Sequence, residues 1–135
     1  MKAYKSIIGL LVLFALGGCR DRTVKVEERP ITILSDKTGR GKTALPGRLV
    51  SIDYVISFED GTELLKYKDW KFVVGSHAVI DGIDEGIVGM RVGGRRVIRC
   101  PPHKHWGRDG YADGLIPRNT TLIFDIRLNQ VDLVD

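Results

Sequence analysis

The chain is short of the residues from which several common scaffolds and sites are built. Its 135 residues include only two cysteines, two tryptophans and five prolines. Two cysteines cannot form a framework of several disulfides or a zinc site of four thiolates. The remaining composition is that of an ordinary globular protein, and the length favours one domain.

An excess of one charge is also missing, because the formal net charge is only +4. The densest basic run holds four arginines, Arg91, Arg95, Arg96 and Arg99, which glycines and apolar residues interrupt. Nucleic-acid binding needs a basic face that also carries groups for reading or stacking on bases. We interpret the run as a solvated strand and turn, and we expect no nucleic-acid partner.

The apolar run at residues 7–16 is too short to span a bilayer, which takes about 20 residues. Lys2 and Lys5 precede it, and its length is typical of the core of a signal peptide. The run leads into Gly17-Gly18-Cys19, and charged residues begin directly afterwards. This pattern predicts that the segment is an export signal.

Small residues directly before a cysteine resemble the lipobox of bacterial lipoproteins. The resemblance implies cleavage before Cys19 and acyl chains on it, each buried CH₂ contributing about 0.8 kcal/mol to anchoring. An ordinary secretory signal and an uncleaved anchor are the alternatives. We expect a signal peptide at 1–18, a lipidated cysteine with a flexible tether at 19–30 and a domain at 31–135. The expected location is the bacterial cell envelope, on the outer membrane facing the periplasm.

Lipidation of Cys19 would leave Cys100 without a partner in the chain, so we expect no disulfide. Cys100 falls on the same face of a predicted strand as Ile98. We interpret it as a small buried apolar residue rather than a nucleophile, although His103 and His105 are near in sequence.

Alternation with a period of two predicts strands. In the two clearest examples the apolar positions are Val50, Ile52, Tyr54, Ile56 and Phe58, and then Leu122, Phe124, Ile126 and Leu128. Shorter strands are predicted at 31–34, 70–73 and 97–100. The segment 36–42 is rich in turn-forming residues and should end the first strand.

Only one helix is predicted. Four apolar residues recur at helical spacing, namely Ile80, Ile83, Ile87 and Met90. Asp81 could cap its start, and the glycines within it cost about 1 kcal/mol each relative to alanine. Many strands with a single short helix predict an α+β fold, a twisted antiparallel β-sheet wrapped around that helix.

A series of motifs fits this arrangement and points to one family. They are Asp60-Gly61, Trp70-Lys71-Phe72, Val79-Ile80-Asp81-Gly82-Ile83-Asp84-Glu85-Gly86, Met90-Arg91-Val92-Gly93, Trp106-Gly107, Ile116-Pro117 and Leu122-Ile123-Phe124-Asp125. In their order and spacing, over residues 31 to 130, they resemble the FKBP-type peptidyl-prolyl cis-trans isomerase domain. The resemblance implies an enzyme that acts on X–Pro bonds of exported proteins in an apolar aromatic pocket and needs no cofactor.

The resemblance also implies which residues form the pocket. Those in the catalytic positions are Tyr54, Phe72, Val79, Ile80, Trp106 and Phe124. Those expected to bind substrate are Leu64, Leu65, Trp70, Ile83, Tyr111 and Ile116. In the family, the backbone N–H at the position of Ile80 holds a substrate carbonyl.

Several positions depart from the pattern of the active family. Leu64-Leu65 stands in place of Phe-Asp, Ile83 in place of the tryptophan at the pocket floor, and Trp106 in place of a tyrosine. The loop 107–114 is one residue longer, and Tyr111 could refill that edge. These departures favour an alternative, a binding or chaperone module with little or no isomerase activity.

A metal site is a third class of function, and it would rest on His77, His103 and His105. No carboxylate lies at a fixed spacing from them, so we expect no metal. The expected partners are proline-containing polypeptides, macrolide ligands and a membrane reached through the lipid anchor. A monomer is expected, because the long helical arm that dimerises some relatives is missing.

Overall fold

The computed structural model describes residues 30–132. The predicted signal peptide, Cys19 and most of the tether lie outside the described residues. The elements are the strands β1 (Thr32–Lys37), β2 (Leu49–Phe58), β3 (Glu63–Val73), β4 (Arg95–Cys100) and β5 (Leu122–Asp132), the helix α1 (Asp81–Gly86) and a 3₁₀ turn (Pro102–Lys104). No helix among residues 30–132 is long and apolar enough to cross a membrane.

The strands form one antiparallel sheet in the order β1-β4-β5-β2-β3. Strand β5 is central, and it pairs with β2 from Phe58↔Leu122 to Leu49↔Asp132. The single helix follows β3, with Ile83 and Ile87 fully buried in the core. The α+β prediction is confirmed.

The predicted alternation matches the burial of side chains along the two long strands. In β2 the buried apolar residues include Ile52, Tyr54 and Ile56, whereas Asp53 and Val55 are partly exposed. In β5 the residues Leu122, Phe124, Ile126 and Leu128 are buried. One face of the sheet therefore supplies the core, and burial of its side chains stabilises the fold by about 1.5–3 kcal/mol for each large residue.

The three shorter predicted strands are all longer in the structure, and β4 begins at Arg95 rather than at residue 97. Strand β1 continues to Lys37, into the segment predicted as a turn, because Asp36 and Lys37 pair with β4 and Asp36 also binds Arg96 at 3.0 Å. Strand β3 begins at Glu63 rather than at residue 70, because it pairs with β2 along most of its length. Pairing partners distant in sequence, which local patterns do not show, set these lengths.

The helix is shorter than its apolar spacing predicts. Its N-cap is Ile80, which makes no side-chain cap hydrogen bond, so the prediction that Asp81 caps the helix was wrong. Gly86 is its last residue. The acidic residue with a structural role is instead Asp84, which is 6% exposed and accepts the backbone N–H of Gly75 at 2.7 Å. Asp84 thus ties the helix to the loop after β3.

Cys100 is fully buried, as predicted, and it packs under the helix. A Cβ atom added at Gly82 would collide with its Sγ. Burial raises the pKa of the Cys100 thiol to about 12. The thiol is therefore an inert packing group, because the thiolate is the reactive form.

Each arginine of the basic run is engaged within the fold. Arg95 binds Asp125 with two hydrogen bonds, and Arg99 binds Glu59 at 3.0 Å. Arg96 is buried, and besides Asp36 it donates to the carbonyl of Gly86 at 2.8 Å. Arg91 donates to the carbonyl of Gly41. Three of these side chains belong to β4, which confirms the strand, but the run is not wholly solvated as predicted, because Arg96 is buried.

Candidate functional site

A cavity of about 350 Å³ opens between β3, the start of α1 and the loop after the 3₁₀ turn. Its lining is mostly apolar and aromatic. The residues that line it are Tyr54, Tyr67, Trp70, Ala78, Val79, Ile80, Ile83, Trp106 and Tyr111. All of these except Tyr67 and Ala78 are site residues that the sequence predicts.

An irregularity in β3 brings Tyr67 and Trp70 to the same cavity. Side chains alternate along a regular strand, so residues three apart face opposite sides. Here the register with β2 shifts, since Tyr54 pairs with Tyr67 whereas Ile52 pairs with Trp70. Residues 68 and 69 together lie opposite the single residue Asp53, so β3 has one extra residue there, in a bulge that includes the positive φ of Asp69, 53°. The bulge therefore gives the cavity a second aromatic residue from one strand.

Two carboxylates hold this bulge. Asp53 accepts the backbone N–H of Asp69 and the side-chain amide of Asn129, both at 2.8 Å. The hydroxyl of Ser51 donates to the carboxylate of Asp69. The Asp69 N–H, followed by Asn129, lowers the pKa of Asp53, so the network needs an ionised carboxylate.

Five aromatic residues surround the mouth of the cavity, and we call them the aromatic collar: Tyr54, Tyr67, Trp70, Trp106 and Tyr111. Tyr54 stacks on Tyr67 with ring centroids 4.9 Å apart, and Trp70 meets Tyr67 edge-on at 5.5 Å. Trp106 stacks on Tyr111 at 4.3 Å. The two groups meet at Tyr67 and Tyr111: burial is the main cause that raises the pKa of Tyr67, and the neighbouring Tyr111 side chain is the next.

A small hairpin presents Tyr111 to the collar. The backbone N–H of Tyr111 donates to the carbonyl of Ile116 at 3.0 Å, and the reverse bond is 3.1 Å. Ile116 itself is fully buried and anchors the hairpin in the core. Gly110 has φ 71°, and a Cβ there would press against the carbonyl of Ile116, so this turn requires glycine.

The base of the cavity is the entry to α1. Ile83 is 1% exposed, while Val79 and Ile80 are partly buried. Ile80 adopts an extended backbone with ψ 148°, directly before the first helical turn. Asp84 fixes the preceding loop through the backbone N–H groups of Gly75 and, at 3.4 Å, His77. The helix thus positions the base from behind.

Five residues that the sequence predicts for the site do not line this cavity: Leu64, Leu65, Phe72, Ile116 and Phe124. Phe72 and Phe124 are buried in the core, since they pair with Val50 and Ile56 on the inward face of the sheet. The ring of Phe124 lies 6.4 Å from that of Tyr54, so it supports the collar from below. Leu64 and Leu65 are half-buried against the same core.

Two lining residues were not predicted from the sequence, Ala78 and Tyr67, and Tyr67 is the aromatic one. It lies two residues after Leu65, so both side chains face the same side of the sheet. Tyr67 places a ring and a hydroxyl near Leu65, the position at which the family pattern has an aspartate. The sequence does contain an indication of this, because Tyr67 lies two residues after Leu65 and directly before Lys68-Asp69, a polar pair that interrupts the alternation. Only the register with β2 reveals that the interruption is a bulge.

The three histidines do not converge. Among residues 30–132 no group of three or more histidine, cysteine, aspartate or glutamate side chains could hold a metal ion. His77 lies beside Asp81 at 3.5 Å, on the exposed surface. His105 binds the carbonyl of Thr120 through Nε2 at 2.7 Å. The site that the described residues do form is the cavity inside the aromatic collar, an apolar aromatic cup whose lining suits an apolar ring.

Comparison with known proteins identifies the family to which the chain belongs. The model of the family described as FKBP-type peptidyl-prolyl cis-trans isomerase matches residues 41–129. The chain belongs to this family. It is 37% identical to "Peptidyl-prolyl cis-trans isomerase Fkbp12" of Drosophila melanogaster, over 64% of this chain and 82% of that one.

Longer relatives contain a similar domain. The chain is 39% identical to the "39 kDa FK506-binding nuclear protein" of Drosophila melanogaster, covering 75% of this chain but only 29% of that protein. Among solved structures, AtFKBP13 matches with a TM-score of 0.65 at 31% identity, over 74% of this chain and 90% of that one. FkpA from Escherichia coli matches with a TM-score of 0.64 at 26% identity, over 78% and 48%.

Proposed function

We propose that the domain catalyses cis-trans isomerisation of X–Pro peptide bonds in the cavity inside the aromatic collar. The observation that carries the proposal is the 350 Å³ cavity itself, which aromatic rings line and the start of α1 closes. The cis and trans forms of an X–Pro bond differ by only about 0.5–1 kcal/mol. A catalyst therefore has to lower the barrier and leave the equilibrium as it is.

The barrier, about 18–20 kcal/mol, comes from the amide resonance that rotation breaks. Breaking it requires no nucleophile, metal or cofactor. It requires a site that binds the twisted amide better than the planar one. The twisted amide has less charge separation than the planar form, so a dry aromatic cup favours it. A preference of about 5 kcal/mol would accelerate rotation several thousandfold.

Different residues of the cavity would contribute to catalysis in different ways. The proline ring would enter the cup above Ile83, between Trp70 and Trp106. The backbone N–H of Ile80, at the extended entry to α1, would hold a substrate carbonyl. The collar would exclude water from the rotating bond, which strengthens that hydrogen bond.

A second function, binding of proline-containing segments with little turnover, is supported by two residues. Leu65 removes an acid from the neighbourhood of the substrate, and Ile83 makes the base less aromatic than in the family. A pocket with these changes could still bind a proline ring through apolar contact. The two functions differ only in whether the bound amide rotates faster than in water.

The test measures the rate of isomerisation of a short proline-containing peptide by the purified protein. Trp106→Leu removes a wall of the cup, and we expect kcat/KM to fall by about two- to tenfold, since an aromatic contact contributes about 0.5–1.5 kcal/mol beyond its area. Leu34→Ala is the matched control, because Leu34 is an exposed apolar residue of β1 and does not line the cavity.

Equal rates with and without wild-type protein, under conditions where the peptide is bound, would support the binding module instead. A loss of activity in Leu34→Ala equal to that in Trp106→Leu would show that the cup is not the site. We also propose that the cup accepts FK506-type macrolides, because relatives are named for binding FK506. Competition of such a macrolide with the peptide tests this.

The proposed clients are exported proteins, and the proposed location is the bacterial cell envelope, with a lipid anchor at Cys19. Support comes from the apolar run at 7–16 and the Gly17-Gly18-Cys19 motif. Labelled palmitate should enter the full chain and should not enter a Cys19→Ala variant. Incorporation into that variant, or none into the wild type, would contradict the anchor.

A further inference from the structure

Two backbone groups of opposite polarity hold the ring of His105. Its Nε2 lies 2.7 Å from the carbonyl oxygen of Thr120, and its Nδ1 lies 3.3 Å from the amide nitrogen of Gly107. A carbonyl can only accept a hydrogen bond, and an amide N–H can only donate one. Both bonds therefore form together only in the neutral imidazole that carries its proton on Nε2.

These two hydrogen bonds fix the backbone on either side of Trp106, which forms one wall of the cavity. His105 directly precedes Trp106, and their ring centroids lie 6.0 Å apart. Gly107 directly follows Trp106, and the carbonyl of Gly107 accepts the N–H of Asn119 at 2.8 Å. The imidazole thus connects the segment that carries Trp106 to the segment that leads into β5.

Movement of Trp106 would spread to the rest of the collar. Trp106 stacks on Tyr111 with an angle of 13° between the ring planes, and Tyr111 is near enough to Tyr67 to contribute to raising its pKa. Three rings of the collar are therefore coupled to the backbone that His105 holds.

We propose that His105 is a positioning residue, which keeps the Trp106 wall of the pocket in place only while its imidazole is neutral. A second proton, on Nδ1, would point at the Gly107 N–H, so that two donors would face each other and the bond would be lost. The effect on substrate rests on the proposed function of the pocket, whereas the movement of the wall does not.

The surroundings of His105 keep it neutral over most of the pH range. Burial is the largest cause that lowers its pKa, the Thr120 carbonyl opposes it, and the nearby His103 lowers it further. The other charged groups near this turn are Lys104 and its partner Glu85 of α1, whose charges pair at 2.8 Å. Protonation of His105 therefore takes place below 6.5, the ordinary value of a histidine.

A variant with one histidine isolates this ring. The chain contains three histidines, so H77N/H103Q leaves only His105 to titrate. Asparagine is chosen at position 77 because His77 has φ 61°, which asparagine tolerates. NMR follows the ring nitrogens of His105, the Gly107 amide and the Trp106 indole N–H as the pH falls. We expect one shared midpoint, and a loss of about fivefold in affinity for a proline-containing peptide, the factor for one hydrogen bond.

The decisive comparison is H105Q, whose amide can still donate to Thr120 but cannot titrate. We expect its peptide affinity to be flat over the pH range in which H77N/H103Q loses affinity. An acid loss that persists in H105Q would overturn the proposal, as would a His105 titration that Gly107 and Trp106 do not follow. If the peptide binds at no pH, the proposed function fails, and the shared NMR midpoint alone decides whether His105 positions the wall.

Discussion

At position 83 the pocket base carries isoleucine, where the family pattern has tryptophan. Ile83 is almost completely buried, yet it borders a cavity with room for a larger side chain. We expect I83W to raise peptide affinity about two- to tenfold, because an added aromatic contact contributes about 0.5–1.5 kcal/mol. Titration of peptide binding measures this.

The control for that change is Ile87→Val, directly after the end of α1. Ile87 is fully buried and does not line the cavity, so this change should cost about 0.5–1.5 kcal/mol of stability and leave affinity unchanged. A weaker affinity in I83W, with the fold intact, would show that the base is already filled when peptide binds.

Tyr67 and Tyr111 offer a second prediction at the scale of residues. The Tyr111 side chain, after burial, contributes to raising the pKa of Tyr67, so we expect the two hydroxyls to interact between β3 and the hairpin loop. Y67F and Y111F each remove one of these hydroxyls and keep the rings, so the double variant should be less destabilised than the sum of the two. The expected coupling is about 0.5–1 kcal/mol, from urea unfolding of the four proteins. Strict additivity would mean that the two hydroxyls do not interact.

Part of the site was correctly predicted from the sequence to line the cavity. Val79, Ile80, Ile83 and Trp106 belong to local motifs, so their order in the chain was enough to place them at the cavity. Tyr67 was not readable, since its orientation depends on a bulge that the partner strand and the carboxylate of Asp53 hold. The register between strands that are distant in sequence cannot be predicted from one sequence alone.

At the scale of elements, α1 and β4 approach each other closely at one glycine. A Cβ at Gly82 would collide with the Sγ of Cys100. Gly82→Ala should therefore destabilise the domain by about 1–3 kcal/mol, despite the better helix propensity of alanine. Thermal or urea unfolding measures the loss.

Cys100→Ala removes the atom that Gly82→Ala would strike. The double variant should therefore be more stable than Gly82→Ala alone, even though Cys100→Ala leaves a small void when made by itself. If the second change adds its full cost to the first, the close approach of helix and strand is not the reason that glycine is needed at this position.

The elements also show where local patterns mislead. The long alternations of β2 and β5 were sufficient to predict those strands, because each has one buried face. The helix was predicted to run past its real end at Gly86, since the apolar spacing continues to Met90 although the helical backbone does not. Met90 is buried although it lies beyond the end of the helix, and its backbone carbonyl accepts the N–H of Ala44 at 2.8 Å.

At the scale of the whole molecule, stability should fall towards acid pH in two steps. The pKa of His105 is lowered in the fold, chiefly by burial, so its contribution is complete above 6.5 and is lost as the pH falls through the lower folded value. The pKa of Asp53 is lowered too, chiefly by the Asp69 N–H, so its contribution is complete above 3.8 and is lost below that.

Thermal unfolding at a series of pH values checks both steps. H105Q should lose the upper step, and Asp53→Asn should reduce the lower one, because Asp60 and Asp69 also have lowered pKa values. A midpoint that rises as the pH falls from neutral would contradict the sign of both shifts.

Whether the cup rotates the amide or only holds it is decided most directly by NMR exchange spectroscopy. The cis and trans signals of a proline-containing peptide are recorded with the protein, at a concentration where binding is independently measured. We predict exchange faster than the uncatalysed tens to hundreds of seconds, and slower exchange with Trp106→Leu than with the wild-type protein. A peptide that is bound by wild-type protein and still exchanges at the uncatalysed rate would contradict the isomerase function.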